Sequence, residues 1–183
     1  MKRIVIGISG ASGMPLAIHL LKMLQVTQDV ETHLVLSRGA EMTILQETGM
    51  RIEDVKSLAD CVYDNDNIGA SIASGTFHTD GMIVVPCSMK TVAGIAQGYS
   101  DNLLLRACDV MIKEQRKLIL VTRESPLSSI HLANLLCLSQ LHHVMIMLTY
   151  YNFPQTIEDM ERHMIGKMLS QFDIEVPCFK RWQ

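Results

Sequence analysis

Three glycines, Gly7, Gly10 and Gly13, follow the apolar run Ile4-Val5-Ile6 at even spacing, with Ser9 and Ser12 between them and Pro15 just beyond. A glycine turn joining a strand to a helix presents backbone N–H groups at the positive end of that helix, a setting suited to a phosphate. The dinucleotide pattern G-x-G-x-x-G is not met, and no Gly-Lys-Ser/Thr follows as a P-loop requires. The next strand-like run ends in Leu36-Ser37-Arg38, without the acid that grips an NAD ribose. A mononucleotide phosphate remains, or a tight turn that binds nothing.

Two further stretches carry polar groups at the ends of apolar runs. PCSMKT (86–91) brings Ser88, Met89, Lys90 and Thr91, and VTRESPLSSIHL (121–132) brings Arg123, Glu124, Ser128 and Ser129. Ligands of open parallel sheets lie beyond the carboxyl ends of the strands. Three polar strand ends on one sheet edge describe a pocket rather than solvated surface.

Other chemistry-bearing groups read as structural. His142 and His143 are adjacent, and on a strand they would point to opposite faces, unable to chelate one ion. Asp64-Asn65-Asp66-Asn67 resembles part of a calcium loop but lacks its glycine and its closing glutamate, so a turn is expected. The cysteines (Cys61, Cys87, Cys108, Cys137 and Cys178) are odd in number and form no CxxC pair. That pattern argues against a disulfide framework and a structural zinc site, and for a reducing cytoplasm.

The elements that position these groups alternate. Strands are expected over 2–9, 30–37, 81–87, 117–123 and 143–149. Helices are expected over 15–24, from the second strand to about 58, and over 89–98, 102–114, 129–141 and 155–172. Pro154 and the Thr156…Asp159 pair mark the start of the last helix, with Ile157, Met160, Met164 and Met168 as its buried stripe. Strands apolar on both faces and separated by helices imply a mostly parallel sheet covered on both sides. The expected fold is one α/β domain over 1–183, doubly wound and flavodoxin-like or Rossmann-like.

Composition agrees with a globular chain: 48% hydrophobic and 19% charged residues over 183 positions, with formal net charge -3. Such a balance offers no basic field for nucleic acid. The basic, apolar start mimics a signal peptide, but its apolar run is short and glycine-broken, so it reads as a strand. No run is long enough to span a membrane.

The glycine turn GISGASG, the block from Ala73 to Leu136 and PQTIEDM (154–160) together resemble the UbiX-like flavin prenyltransferases, members of a flavin-binding α/β superfamily. The resemblance covers nearly the whole chain, and the long central block is its most specific part. It implies transfer of a dimethylallyl group from dimethylallyl monophosphate to reduced FMN, at N5 and C6, without a metal. The product would serve a separate UbiD-type decarboxylase. The resemblance places Gly10, Ala11, Ser12, Ser37, Ser88, Met89, Lys90, Thr91 and Arg123 against FMN. It places Arg106, Lys113, Tyr151, Lys167 and Trp182 at the prenyl phosphate, and Glu47, Glu124 and Ser12 at the reacting centre. It also implies a homo-oligomer, with a dodecamer among the forms the family takes and sites at subunit interfaces.

The chain departs from the family pattern on the donor side. The proline-rich segment after the fifth strand is absent from HHVMIMLTYYNFPQ, and Glu124 to Tyr151 spans 27 positions, about two fewer than usual. Ala133 stands in place of a glutamate, and Lys167 in place of an arginine. A lysine keeps charge but loses the bidentate fork that an arginine offers phosphate. The rival to prenyl transfer is therefore a non-catalytic FMN-binding carrier or decarboxylase subunit. Decarboxylation within this chain ranks below both, because no residue set is arranged to stabilise a carbanion.

Overall fold

The computed structural model describes residues 1–147, 153–176 and 179. Six strands form one sheet: β1 (Lys2–Ile8), β2 (Val30–Leu36), β3 (Cys61–Tyr63), β4 (Gly81–Cys87), β5 (Lys117–Thr122) and β6 (Val144–Ile146). Their order is β3-β2-β1-β4-β5-β6, and every neighbouring pair is parallel. The helices are α1 (Met14–Gln25), α2 (Arg38–Thr48), α3 (Ile52–Lys56), α4 (Met89–Ala96), α5 (Leu103–Lys113), α6 (Ser129–Ser139) and α7 (Ile157–Ser170). A 3-10 turn occupies Ser71–Ala73.

The period-two alternation of the strands divides the core into two layers. Ile4, Ile6, Ile8, Ile83 and Val85 point to one face, where α1, α2 and α7 cover them with Leu20, Ile44 and Leu169. Val5, Met82, Val84, Leu118 and Leu120 point to the other, beneath α4 and α5 with Val92, Leu104 and Val110. The chain runs outward from β1 to β3 and, in the other direction, from β4 to β6. The loops after β1 and β4 therefore diverge, and a crevice opens between them at the carboxyl edge.

Several expectations are corrected. The helical stretch after β2 is two helices, because Gly49 turns left-handed (φ 65) and closes α2. The edge strand β3 is three residues long, too short to show a period in the sequence. His142 and His143 sit in the turn before β6, so they do not alternate across a strand; residues 148 and 149 of the expected strand lie outside the described residues. Ile157 is 75% exposed rather than the head of a buried stripe, because the first turn of α7 projects past the sheet over a cavity. The buried stripe is Met164, Ile165, Met168 and Leu169, and the expected Thr156–Asp159 capping box is present. The Asp64–Asn67 segment is a turn, as expected, in which Asp64 Oδ1 accepts the Asp66 N–H at 3.0 Å. Asn65 has a further task there, accepting the Leu103 N–H on its carbonyl at 2.8 Å and the Leu104 N–H on its side chain at 3.1 Å at the start of α5.

Candidate functional site

Helices α1, α2, α4 and α6 all begin at the carboxyl edge of the sheet, after β1, β2, β4 and β5. Ser37, Ser88 and Ser128 cap three of them, accepting the N–H groups of Ala40, Thr91 and His131 at 3.1, 3.3 and 3.2 Å. At the fourth, Gly13 adopts φ 109, a conformation that suits glycine, and Pro15 follows within the first turn.

The loops after β1 and β4 are pinned together by Ser9, which is 1% exposed. Its hydroxyl donates to the Pro86 carbonyl at 2.8 Å and accepts the Ser88 N–H at 2.7 Å. The loops after β1 and β2 are pressed together at Gly10 and Gly39. A Cβ on Gly10 would lie 2.8 Å from both Cα and C of Gly39. The glycine turn therefore does two jobs: Gly10 permits a close backbone approach, and Gly13 supplies a left-handed entry to α1.

Glu47, on the last turn of α2, reaches across to α1. Its Oε2 accepts the N–H groups of Gly13 at 2.9 Å and Met14 at 3.0 Å. Desolvation pushes this carboxyl up, but the Met14 and Gly13 N–H groups, the Ser12 hydroxyl and the Arg123 charge outweigh it and hold it below its ordinary value. The N-terminus of α1 thus already faces a carboxylate. The N–H groups of Gly10 and Ser12 have no acceptor among the described residues, which leaves the front of the turn available to an anion.

Beside this turn lies a cavity of about 660 Å³, lined chiefly by apolar groups. Ser12, Gly13 and Leu16 form one wall, Pro86 and Val121 to Arg123 the floor, and Ile157, Met160, Glu161 and Met164 of α7 the other wall. That volume lies within the range of about 300–1,000 Å³ usual for small-molecule sites. Thr122 lines it as well; only 2% exposed, it has a hydroxyl with no partner among the described residues. Arg123 Nη1 lies 3.4 Å from Glu124 Oε1. Met89 and Thr91 are buried in the first turn of α4, whereas Lys90 is exposed. A flat aromatic ring system bearing a phosphate matches this geometry: apolar walls, with open N–H groups at one end.

The remaining expected residues fall elsewhere. Arg106 and Lys113 lie on α5, across the sheet from the cavity. Arg106 donates to Asp109 at 2.6 Å and to the Ala73 carbonyl at 3.2 Å, and Lys113 meets Glu114 at 2.6 Å. Lys167 lies on α7, two turns beyond Met160. One chain therefore does not bring Arg106 and Lys113 to Lys167. Tyr151 and Trp182 lie outside the described residues. Sequence reasoning missed Ser9, Gly39 and the Glu161 carboxylate, which holds His19 Nδ1 at 3.0 Å on the α7 wall. A buried serine brace has no sequence signature, but the Gly10–Gly39 contact had a signal in two glycines at corresponding strand ends.

A doubly wound sheet with a helix-rimmed anion site and an apolar cavity at its switch point is the architecture of a flavoprotein, and the Flavoprotein family matches residues 1–175. A probable UbiX-like flavin prenyltransferase of Sedimentibacter hydroxybenzoicus is 56% identical, covering 99% of this chain and 97% of its own. The solved structure of a dodecameric FMN-dependent UbiX-like decarboxylase from Escherichia coli O157:H7 is 48% identical, covers all of both chains and has a TM-score of 0.94. That of AnUbiX (PadA1), in complex with FMN and dimethylallyl pyrophosphate, is 44% identical, with the same TM-score over 100% of this chain and 97% of that one. The chain belongs to the UbiX-like flavin prenyltransferases.

Proposed function

We propose that this chain joins a dimethylallyl group from dimethylallyl monophosphate to reduced FMN, releasing phosphate and producing the cofactor of a UbiD-type decarboxylase. The observation that carries the reading is the apolar cavity bounded by the glycine turn, Arg123 and α7. Gly10, Ala11, Ser12 and Ser37 are positioned to hold the FMN phosphate, and Ser88, Met89, Lys90, Thr91 and Arg123 to line the ring and ribityl chain. Reduced FMN supplies the two nucleophilic centres, N5 and C6.

Cleavage of the allylic C–O bond separates a phosphate dianion from developing positive charge on carbon. Basic side chains fixed around the phosphate stabilise that charge without reorganising during the reaction. Lys167, Arg106 and Lys113 take this role, together with Tyr151 and Trp182. Two protons must also move: as the new bonds form, flavin N5 and C6 each give up one, and of these one goes onto the former double bond and one leaves with the phosphate. Glu47, bonded to the cavity-lining Gly13, and Glu124, paired with the cavity-lining Arg123, are the carboxylates that suit a relay, with the Ser12 hydroxyl beside Glu47.

Because α5 and α7 cover opposite faces of the sheet, the donor site is completed by Arg106 and Lys113 of a second copy. The exposed face of α6 supports such assembly, since Ile130, Leu132 and Leu136 are all solvent-facing in the single chain. The dodecameric relative supports it as well. Among the described residues no helix is long and apolar enough to cross a membrane, and Cys61, Cys87, Cys108 and Cys137 are free thiols, in keeping with a reducing cytoplasm.

The test is mass spectrometry of the flavin after anaerobic incubation with reduced FMN and dimethylallyl monophosphate. The expected result is a mass gain of one prenyl unit, slowed roughly 10²–10³-fold in Lys167→Ala. Tightly bound but unmodified FMN overturns the transferase reading and leaves the carrier.

A further inference from the structure

On the α5 face of the sheet, away from the cavity, three side chains of different chemistry converge at its edge. Glu31 and His33 are two apart on β2 and share a face, and Cys61 on β3 pairs in register with His33. Glu31 Oε1 lies 3.7 Å from His33 Nε2 and 4.0 Å from Cys61 Sγ, and the three atoms all fall within 4.8 Å of one another. Tetrahedral coordination with bonds of about 2.0–2.3 Å sets neighbouring ligand atoms about 3.3–3.8 Å apart. Only small side-chain movements separate this cluster from that geometry.

The imidazole is prepared for such a role. His33 is 1% exposed, and its Nε2 has no hydrogen-bond partner among the described residues. Its other nitrogen lies 2.9 Å from the Tyr63 hydroxyl, which in turn lies 2.8 Å from Ser71 Oγ. A second-shell hydrogen bond of this kind fixes the ring and directs the remaining nitrogen at a metal. The Tyr63 ring stacks on His33 at 5.8 Å and Phe77 meets it edge-on at 5.4 Å, so the ring cannot swing away. Glu31 is divided between two tasks: Oε2 holds Arg3 Nε at 2.7 Å, and Oε1 faces His33 and Cys61.

We propose that Glu31, His33 and Cys61 form a binding site for one divalent transition-metal ion of the zinc class, with its fourth position open to solvent. The mixed nitrogen, sulfur and oxygen donors suit zinc or cobalt(II) rather than magnesium or calcium. Bound there, the ion ties the three-residue edge strand β3 to β2 and takes no part in flavin chemistry. The ligands come from adjacent strands joined by a long crossover, so a search for closely spaced cysteines does not find them.

The experiment is titration of the full-chain, flavin-loaded protein with cobalt(II), read in the red, where flavin does not absorb. One equivalent per chain is expected to give the intense d–d bands of four-coordinate cobalt, displaced by zinc and accompanied by proton release. Cys61→Ser, at the half-buried rim, loses the bands; Glu31→Gln, which preserves shape, is the second variant and weakens them. Tyr63→Phe lowers affinity about 10–100-fold through the imidazole, and Cys137→Ser on exposed α6 leaves the spectrum unchanged. A weak six-coordinate spectrum, or bands that persist in Cys61→Ser, overturns the proposal.

Discussion

Ser9→Ala tests whether the site is held by one buried hydroxyl. In the intact chain that hydroxyl donates to the Pro86 carbonyl and accepts the Ser88 N–H. The alanine variant leaves the two backbone groups in different situations. Pro86 keeps an N–H donor, because the Ser9 backbone also points at its carbonyl at 3.2 Å. Ser88 N–H loses its acceptor in a part-buried position. The cost is that of one orphaned donor, about 1–3 kcal/mol. For a chain of this size each kcal/mol lowers Tm by roughly 2–4 °C, so a fall of roughly 2–12 °C is expected. The assay is thermal and urea unfolding of the flavin-free protein at fixed concentration, because oligomerisation makes apparent stability concentration-dependent. FMN affinity should fall as well, since the same bond sets the spacing of the two loops proposed to hold it. A loss below about 0.5 kcal/mol, the level of an ordinary surface change, with FMN affinity intact would refute the brace.

Gly10→Ala should be destabilising by about 1–3 kcal/mol through overpacking, because the added methyl meets Gly39 backbone at 2.8 Å; Gly39→Ala, whose methyl would lie 3.2 Å from Gly10 Cα, should cost less in the same unfolding assay. Glu47→Gln retains an acceptor for Gly13 and Met14 but removes the charge at the start of α1, a loss of about 0.3–1 kcal/mol at neutral pH. The folded carboxyl titrates below its reference value of 4.5, so its contribution is complete above 4.5 and disappears as pH falls through the folded value; the gap between wild type and variant should narrow in urea titrations as the pH is lowered below 4.5. Arg106→Ala and Lys167→Ala oligomers should each be impaired in prenyl transfer, and co-assembly of equal amounts should restore activity at roughly a quarter of the sites, as random pairing across a symmetric interface dictates. No recovery on co-assembly would place both residues in sites built from one chain.

The parts of the fold visible in the sequence are those that repeat a period. β1, β4 and β5 are apolar runs, β2 ends in one at Leu34 to Leu36, and α7 carries its capping box in plain sight. What stayed hidden has no period to show. β3 has three residues and takes its place by pairing with β2. The break between α2 and α3 rests on a single left-handed glycine, which a helical pattern tolerates on paper. Ile157 fits the stripe of α7 by spacing, yet its turn extends beyond the sheet and finds no core to join. At the candidate site, Ser88 and the strand-end Arg123 stood out because strand-to-helix junctions advertise polar residues, whereas Ser37 was singled out only by the family resemblance. Ser9 was not, because a serine between glycines reads as turn filler.

Glu47 changes how the glycine turn should be understood. An anion at the start of α1 gains from the helix dipole, but the Gly13 and Met14 N–H groups already face the Glu47 carboxylate. A phosphate placed there as well would bring two negative groups together at short range. Gly10, whose N–H is open, lies against Gly39 at the start of α2, which brings a second helix N-terminus alongside. A phosphate held between the turn and α2 has two helix dipoles in its favour and leaves Glu47 on the Gly13 and Met14 N–H groups. The even spacing of the glycines then serves two anions: Gly13 fits α1 to the Glu47 carboxylate, and Gly10 fits the turn to the phosphate proposed to bind there.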